Sequence, residues 1–333
     1  MQHLSKHSKI MVIGGGAWGS SLAAIASHNA NDIVVYDRRF CGGSAPEGLT
    51  TLRTDLSKYT NIKYTSNLAD VSVADLVVIA VPSHACREVL VSCKPHIKNS
   101  VTILSASKGI EGTTLFLMTD VIGDVLPDNC NAVISGPTFA SELLLELPAA
   151  AVVASKDKEV GMNIINTFST DYFTMIYSND VIGVQIGGAL KNVVAVMAGI
   201  AEGLNLGMNA RAAIITIGLN EIKAIISALG GDESSITGLA CVGDLVLTSS
   251  SKTSRNMTFG YLIANGNSPQ QIIQKGNGTY EGYNSSFVSY KLCHKLNIQL
   301  PLIETLFKIL YEGGDPKGCL LNLLDTAVRG SII

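Results

Sequence analysis

The sequence predicts an α/β protein, with an N-terminal doubly wound sheet followed by an all-α C-terminal domain. Three observations carry this reading. First, the β-type run Ile10-Met11-Val12-Ile13 leads into Gly14-Gly15-Gly16-Ala17-Trp18-Gly19, then a helical segment from Ser20 to His28 and a second strand, Ile33 to Tyr36, closed by Asp37. Strand, glycine turn, helix and strand in that order form the opening unit of a doubly wound sheet. Second, further buried-strand runs follow at Leu76 to Val81, Val101 to Leu104, Ala132 to Ile134, Ala149 to Ala154 and Phe173 to Tyr177. Pro82, Gly109 and Gly136-Pro137 punctuate their ends, and ligands of open α/β sheets sit beyond the carboxyl ends of strands. Third, the texture changes near Val181 to long helical segments at 181–203, 209–229, roughly 254–265, 285–295 and 301–312. The boundary is therefore placed near Ser178-Asn179, with a sheet domain over 1–178 and a helical substrate domain over 179–333.

Composition narrows the class. Of 333 residues, 47% are hydrophobic and 15% charged, so the chain buries a large core instead of remaining disordered. The net charge of −3, without a long basic run, speaks against a nucleic-acid partner. Seven scattered cysteines without a CxxC pair argue against a disulfide framework or structural zinc and suit the reducing cytoplasm. Of the six histidines only His3 and His7 stand at HxxxH spacing, in the polar N-terminal stretch without a third ligand type nearby, so no metal site is expected. No signal peptide is expected from the polar first residues, and the unbroken apolar runs fall short of the about 18 residues that span a bilayer.

The glycine turn matches G-x-G-x-x-G at Gly14, Gly16 and Gly19. In that motif the first glycine permits the tight turn, the second lets backbone approach a pyrophosphate, and the third lets helix and strand pack closely. Free N–H groups at the helix start, around Ala17 and Trp18, would face the phosphates, giving a Rossmann-like dinucleotide site. A P-loop is excluded because Ser20-Ser21 stand where Lys-Ser/Thr would be. Asp37 could accept hydrogen bonds from an adenosine ribose, favouring NAD, whereas Arg38 and Arg39 could grip the 2′-phosphate of NADP. A solvated charge cluster would look the same, so the cofactor is written NAD(P).

Within the apolar segment Val181 to Gly203, Lys191 needs a reason to be present, since burying an unpaired ammonium is expensive. Its helical neighbours Gly187, Gly188 and Ala195 are small, which suggests a hollow beside the amine; close helix contact at the glycines is the competing reading. Lys108, just past a strand, is placed for an anionic substrate, and Gly136-Pro137-Thr138-Phe139-Ala140 follows another strand with exposed backbone N–H groups. Farther on, Gly243-Asp244-Leu245 and Lys252-Thr253-Ser254-Arg255-Asn256 stand out. Ser254 reads as an N-cap with Arg255 and Asn256 in the first turn, a competent anion site as well as an ordinary capped helix.

Taken together, GGGAWGSSLA (14–23), AVPSHACREVL (80–90), SASKGIE (105–111), SGPTFASE (135–142), GALKNVVAVMAGIAEGL (188–204), GLACVGDLVLTSSSKTSRN (238–256) and YEGY (280–283) resemble the bacterial-type NAD(P)-dependent glycerol-3-phosphate dehydrogenases over nearly the whole chain. The resemblance implies interconversion of sn-glycerol 3-phosphate and dihydroxyacetone phosphate, feeding phospholipid synthesis, commonly by a homodimer. It puts the proton-transferring lysine on Lys191, and substrate contacts on Lys108, Gly136, Thr138, Asp244, Ser254, Arg255 and Asn256, with Asn192 a further candidate. Cofactor contacts fall on Trp18, Arg38, Lys108, Ala140, Arg255 and Glu281, and Thr279 stands where the family tends to have valine. Thr138 replaces the usual serine, and residues 40–65 align poorly. The expected mechanism makes Lys191 the base, its pKa of about 10.4 brought towards about 7–8 by apolar burial and by the like charge of Lys108, while Asp244 orients the amine or the substrate hydroxyls. A related β-hydroxyacid or 6-phosphogluconate-type dehydrogenase and a non-catalytic dinucleotide sensor are the alternatives.

Overall fold

The computed structural model describes residues 8–30, 32–40, 59–251, 254–275 and 280–329. The chain runs β1 (Lys9–Ile13), α1 (Ala17–Ala26), β2 (Asp32–Tyr36), β3 (Ile62–Thr65), β4 (Leu76–Ile79), α2 (Cys86–Cys93), β5 (Thr102–Ser105), α3 (Met118–Val125), β6 (Asn131–Ser135), α4 (Ala140–Leu144), β7 (Ala149–Ala154), α5 (Lys158–Phe168) and β8 (Phe173–Ser178). Helices alone follow among the described residues: α6 (Val181–Gly203), α7 (Gly207–Ala228), α8 (Asp244–Ser250), α9 (Arg255–Ala264), α10 (Pro269–Lys275), α11 (Glu281–Leu296), α12 (Pro301–Tyr311) and α13 (Pro316–Arg329), with a 3-10 turn at Glu233–Thr237 and a π-helical turn at Leu239–Gly243. This is the α/β sheet domain and all-helical domain that the sequence predicts. Two compact units result, one taking the chain to Lys108 and then Phe116–Val184, the other Gly109–Leu115 and the chain from Gln185 onward.

In the first unit the strands lie in the order β3-β2-β1-β4-β5-β6-β7-β8. Neighbours are parallel except β6 and β7, which pair antiparallel. Strand β1 has β2 on one side and β4 on the other, so the order reverses beside it and its carboxyl end is the topological switch point. Ile10 and Val12 pack with Leu22 and Ile25 of α1 and Phe168 of α5, while Met11 and Ile13 pack with Leu90 of α2 and Val121 of α3. Both faces are covered, which is why the strand is a continuous apolar run without alternation. Helix α1 starts at Ala17 and not at Ser20, and α11 at Glu281 and not at 285, so Trp18 and Glu281 each sit in a first helical turn.

Helix α6 is the axis of the second unit. By length and composition it could cross a membrane, but 94% of its apolar window is buried inside the protein. Buried core explains its all-round hydrophobicity. Three glycines bring its neighbours close. A Cβ at Gly218 of α7 would stand 2.4 Å from Val194 Cγ2, one at Gly199 would stand 2.0 Å from the Met257 carbonyl oxygen, and one at Gly260 of α9 would stand 1.9 Å from the Val196 carbonyl oxygen. Helices α6 and α9 therefore cross backbone against backbone.

Behind α6, Glu221 of α7 is 2% exposed, and its carboxylate accepts N–H bonds from Leu302 at 2.5 Å and Ile303 at 3.1 Å. It caps α12 from outside, because Leu300 at the N-cap has no side-chain acceptor and Pro301 has no N–H. Burial pushes the Glu221 pKa from 4.5 up to about 8, against the two N–H bonds and with help from Glu304. The folded value lies above the unfolded one, so this group's contribution is complete below about pH 4.5 and is lost as pH rises through about 8. Across that window Glu221→Gln should lose stability with pH less steeply than the parent chain, the slopes differing by at most about 1.4 kcal/mol per pH unit. Denaturant unfolding at several pH values checks this, and parallel curves would refute it.

Candidate active site

In the first unit the site grows from the switch point. Gly14 has φ +117°, and a Cβ there would lie 2.5 Å from the Ala80 carbonyl oxygen past β4, so the turn demands glycine. A Cβ at Gly19 would come 1.9 Å from the Gly14 carbonyl oxygen. Gly16 differs, because it is exposed and nothing stands within 4 Å of where its Cβ would be. Protein packing does not require glycine at that position, whereas close approach of a phosphate does. Gly16 is also the N-cap of α1 and offers no side-chain cap, so the first-turn N–H groups at Ala17 and Trp18 are left for an anion. These residues fit a dinucleotide.

In the rest of this half, two side chains share the Gly136 carbonyl and others hold the neighbouring loops. The half-buried Trp18 donates its indole N–H to the Ala106 oxygen at 3.0 Å. Lys108 Nζ lies 6.0 Å from the Trp18 ring centroid and donates to the Gly136 oxygen at 3.2 Å. Thr138 Oγ1 donates to the same oxygen at 3.2 Å. Gly136 has φ +158°, and a Cβ there would meet Ala151 Cα at 2.9 Å. The Ala140 carbonyl accepts from Ser21 Oγ at 3.1 Å, tying the start of α4 to α1. At the end of β2, Arg39 takes both oxygens of Asp37, with Nε to Oδ1 at 2.8 Å and Nη2 to Oδ2 at 2.6 Å, while Arg38 is exposed. Burial would raise the Asp37 pKa, but the Arg39 guanidinium and the N–H groups of Arg39 and Gly15 hold the carboxyl below its ordinary value. Arg39 thus spends its fork on Asp37, although both arginines are exposed.

In the second unit, Lys191 is 9% exposed and Asp244 is fully buried. Lys191 Nζ donates to Asp244 Oδ1 at 2.5 Å and to Thr248 Oγ1 at 3.0 Å, and Thr248 Oγ1 lies 3.4 Å from the same carboxylate oxygen. A carboxylate and a hydroxyl share its proton-bearing end. Desolvation disfavours the ammonium and the carboxylate favours it, two opposed influences on one nitrogen. The hollow expected beside Gly187 is also filled. Cys241 Sγ stands 2.1 Å and the Ala240 oxygen 2.8 Å from where a Gly187 Cβ would be, so that glycine serves close packing of the π-helical turn on α6. The turn ends at Gly243 and delivers Asp244 as the first residue of α8, aimed at Lys191. Thr248 was not among the sequence candidates. Its signal was its place one helical turn after Asp244 in the stretch DLVLT.

Beside Lys191, the buried Asn192 accepts from Asn256 Nδ2 at 2.8 Å, and Asn256 Oδ1 accepts from the Gly282 N–H at 2.9 Å. Ser254 is the buried N-cap of α9, its Oγ accepting from the Met257 N–H at 3.3 Å, and Arg255 follows, exposed, in the first turn. Burial raises the pKa of Glu281, partly opposed by the Arg255 charge. Thr279, Lys252 and Thr253 lie outside the described residues. Among the described residues no group of three or more His, Cys, Asp or Glu could hold a metal ion, and the cysteines are free thiols.

A glycine-turn domain whose second glycine only a ligand explains, joined to a helical domain with a buried lysine–aspartate pair, defines the comparison to make. The model of the NAD-dependent glycerol-3-phosphate dehydrogenase N-terminus matches residues 9–161, and that of the C-terminus matches residues 180–320. The chain belongs to the NAD-dependent glycerol-3-phosphate dehydrogenase family. It is 36% identical to the glycerol-3-phosphate dehydrogenase (NAD(P)+) of Syntrophotalea carbinolica, over 97% of this chain and 99% of that one. The Geobacter metallireducens enzyme of the same name is 37% identical, over 95% and 96% respectively. Among solved structures, glycerol-3-phosphate dehydrogenase from Coxiella burnetii superposes with a TM-score of 0.87 at 30% identity, covering 96% of this chain and 99% of that chain. In this glycerol-3-phosphate dehydrogenase family member chemistry-bearing side chains converge, among the described residues, at the carbonyl-centred cluster around Gly136 and at the Lys191–Asp244–Thr248 cluster.

Proposed function

We propose that this chain interconverts sn-glycerol 3-phosphate and dihydroxyacetone phosphate with NAD(P), supplying glycerol 3-phosphate for phospholipid synthesis as a cytoplasmic homodimer. The observation that supports the chemistry best is the buried amine held by Asp244 and Thr248. Bound NAD(P) supplies or accepts the hydride. Lys191, held as an ammonium by Asp244, gives a proton to the oxygen on C2 as the ketone is reduced. In the oxidation direction the neutral amine takes the hydroxyl proton, and Asp244 stabilises the ammonium that forms. Thr248 and Asp244 fix the direction in which the Nζ–H bonds point. Lys108 and Thr138, anchored on the Gly136 oxygen, offer a positive charge and a hydroxyl to the same ligand class. Arg255 and the N-terminus of α9 capped by Ser254 would receive the phosphate, away from the amine that must lose its charge.

Loss of NADH or NADPH absorbance on adding dihydroxyacetone phosphate tests the reading and measures the cofactor preference, and light scattering in the same buffer gives the oligomer. Arg255→Ala should raise KM for dihydroxyacetone phosphate about tenfold to a hundredfold, as expected for losing a charge-assisted hydrogen bond, and leave unphosphorylated dihydroxyacetone nearly unchanged. Equal losses on both substrates would remove Arg255 from the phosphate site.

A further inference from the structure

The crevice at the switch point has two walls, the glycine turn after β1 and the loop after β4. Helix α1 packs through Leu22 and Ile25 with the apolar set that holds Ile10 and Val12. Helix α2 packs through Cys86, Leu90 and Cys93 with the set that holds Met11 and Ile13. The neighbours β1 and β4 therefore send their helices to opposite faces of the sheet, and a ligand at the switch point lies between the two departing loops. These loops start in contact. The Ala80 carbonyl oxygen stands 2.5 Å from where a Gly14 Cβ would be, and Ala80 Cβ 3.2 Å from where a Gly19 Cβ would be. From Ala80 the chain runs Val81-Pro82-Ser83-His84-Ala85 into α2.

This second loop is fixed and still leaves donors free. Ser107 Oγ donates to the Val81 oxygen at 2.6 Å, and Ser83 is buried at the start of a 3-10 turn, Ser83–Ala85. Ala85 and Cys86 give their N–H groups to the Pro82 and Ser83 oxygens. The N–H groups of Ser83 and His84, the first of the turn, have no acceptor among the described residues. His84 is exposed, and its imidazole makes no hydrogen bond, ion pair or ring contact among them. Nothing in the packing of the fold calls for a histidine there.

We propose that His84 is a cofactor-binding residue, donating from the second wall to the diphosphate that the Gly14–Gly19 turn receives from the first. The proposal rests on the dehydrogenase reading above. A diphosphate bridge is anionic and has more acceptor oxygens than the first-turn N–H groups of Ala17 and Trp18 can fill from one side. Imidazole carries at least one N–H whether neutral or charged, so it can supply the donor on the opposite side.

Fluorescence titration with the tighter of NADH and NADPH, and calorimetry with ADP-ribose, which keeps the diphosphate and lacks the nicotinamide, test the assignment. His84→Ala should weaken both ligands about tenfold, as expected for losing a hydrogen bond to a charged group. His84→Gln, which keeps an N–H donor, should stay within about threefold of the parent. His84→Glu should bind more weakly than the alanine variant, because its carboxylate repels the diphosphate, and added salt should narrow that gap. His96→Ala, at an exposed histidine beyond the far end of α2, should bind both ligands as the parent does. A His84→Ala chain that binds the reduced cofactor within about twofold of the parent overturns the proposal and leaves the dehydrogenase reading standing. So does a loss confined to the reduced cofactor with ADP-ribose binding intact, which would put the imidazole at the nicotinamide end. A parent chain that binds neither NADH, NADPH nor ADP-ribose overturns both.

Discussion

Lys191→Ala should cut turnover with dihydroxyacetone phosphate by about a hundredfold to ten-thousandfold, the range a positioned proton donor contributes, while NADH binds as before. The glycine turn proposed to receive the dinucleotide lies in the other unit and shares no residue with the lysine cluster. The alanine variant also carries a structural cost that must be separated from the chemical one. Asp244 is fully buried, and losing its partner leaves a bare carboxylate, which costs about 3–5 kcal/mol. Lys191→Met with Asp244→Asn removes both charges and refills the volume, so most of that stability should return. Turnover should not. Thermal melts, fluorescence titration with NADH and steady-state kinetics on the single and double variants give the three readings. If Lys191→Met with Asp244→Asn is as stable as the parent and turns over within tenfold of it, Lys191 does not carry the proton.

What was legible in the sequence follows from how local each signal is. The glycine turn needed only its own neighbours: Gly14 and Gly19 are close in sequence, and a strand and a helix flank them, so the turn could be read directly. The bounds of α6 match to the residue because an uninterrupted apolar helix announces itself. The partner of Lys191 was a different matter. Asp244 lies 53 residues away, and only the π-helical turn before it, packed into the space left by Gly187, aims it at the amine. The sequence showed small residues beside Lys191 without saying which neighbour would fill them, and hence suggested an empty hollow. The sheet-covering helices α2, α3 and α5 escaped notice because their apolar faces are short and interrupted, and β3 because only one of its four residues is buried. Asn256 illustrates the same limit from the other side: its place in the first turn of α9 was readable, but the Gly282 N–H that occupies its oxygen arrives from a helix 26 residues later.

Gly260→Ala should destabilise the fold by about 3 kcal/mol or more and take the dehydrogenase activity with it. Helix propensity alone predicts the reverse, since alanine is better than glycine inside a helix by about 0.8–1.0 kcal/mol. The contest is decided by what a Cβ would meet. At Gly260 it would stand 1.9 Å from the Val196 carbonyl oxygen and 2.9 Å from the Ile200 nitrogen, both backbone atoms of α6 that no side-chain rotation can clear. Gly199 faces Met257 of α9 in the same way, so neither helix can shift along the other without a second collision. The helices must separate, and the Asn192–Asn256 hydrogen bond, 2.8 Å long on the same pair of helices, stretches with them. Gly123 of α3 is the matched control, because nothing lies within 4 Å of its missing Cβ. Gly123→Ala should therefore stabilise by up to about 1 kcal/mol. Urea unfolding of the two variants should show shifts of opposite sign. A neutral or stabilising Gly260→Ala would mean that α6 and α9 do not cross backbone to backbone, and the geometry that joins Asn192 to Asn256 would lose its support.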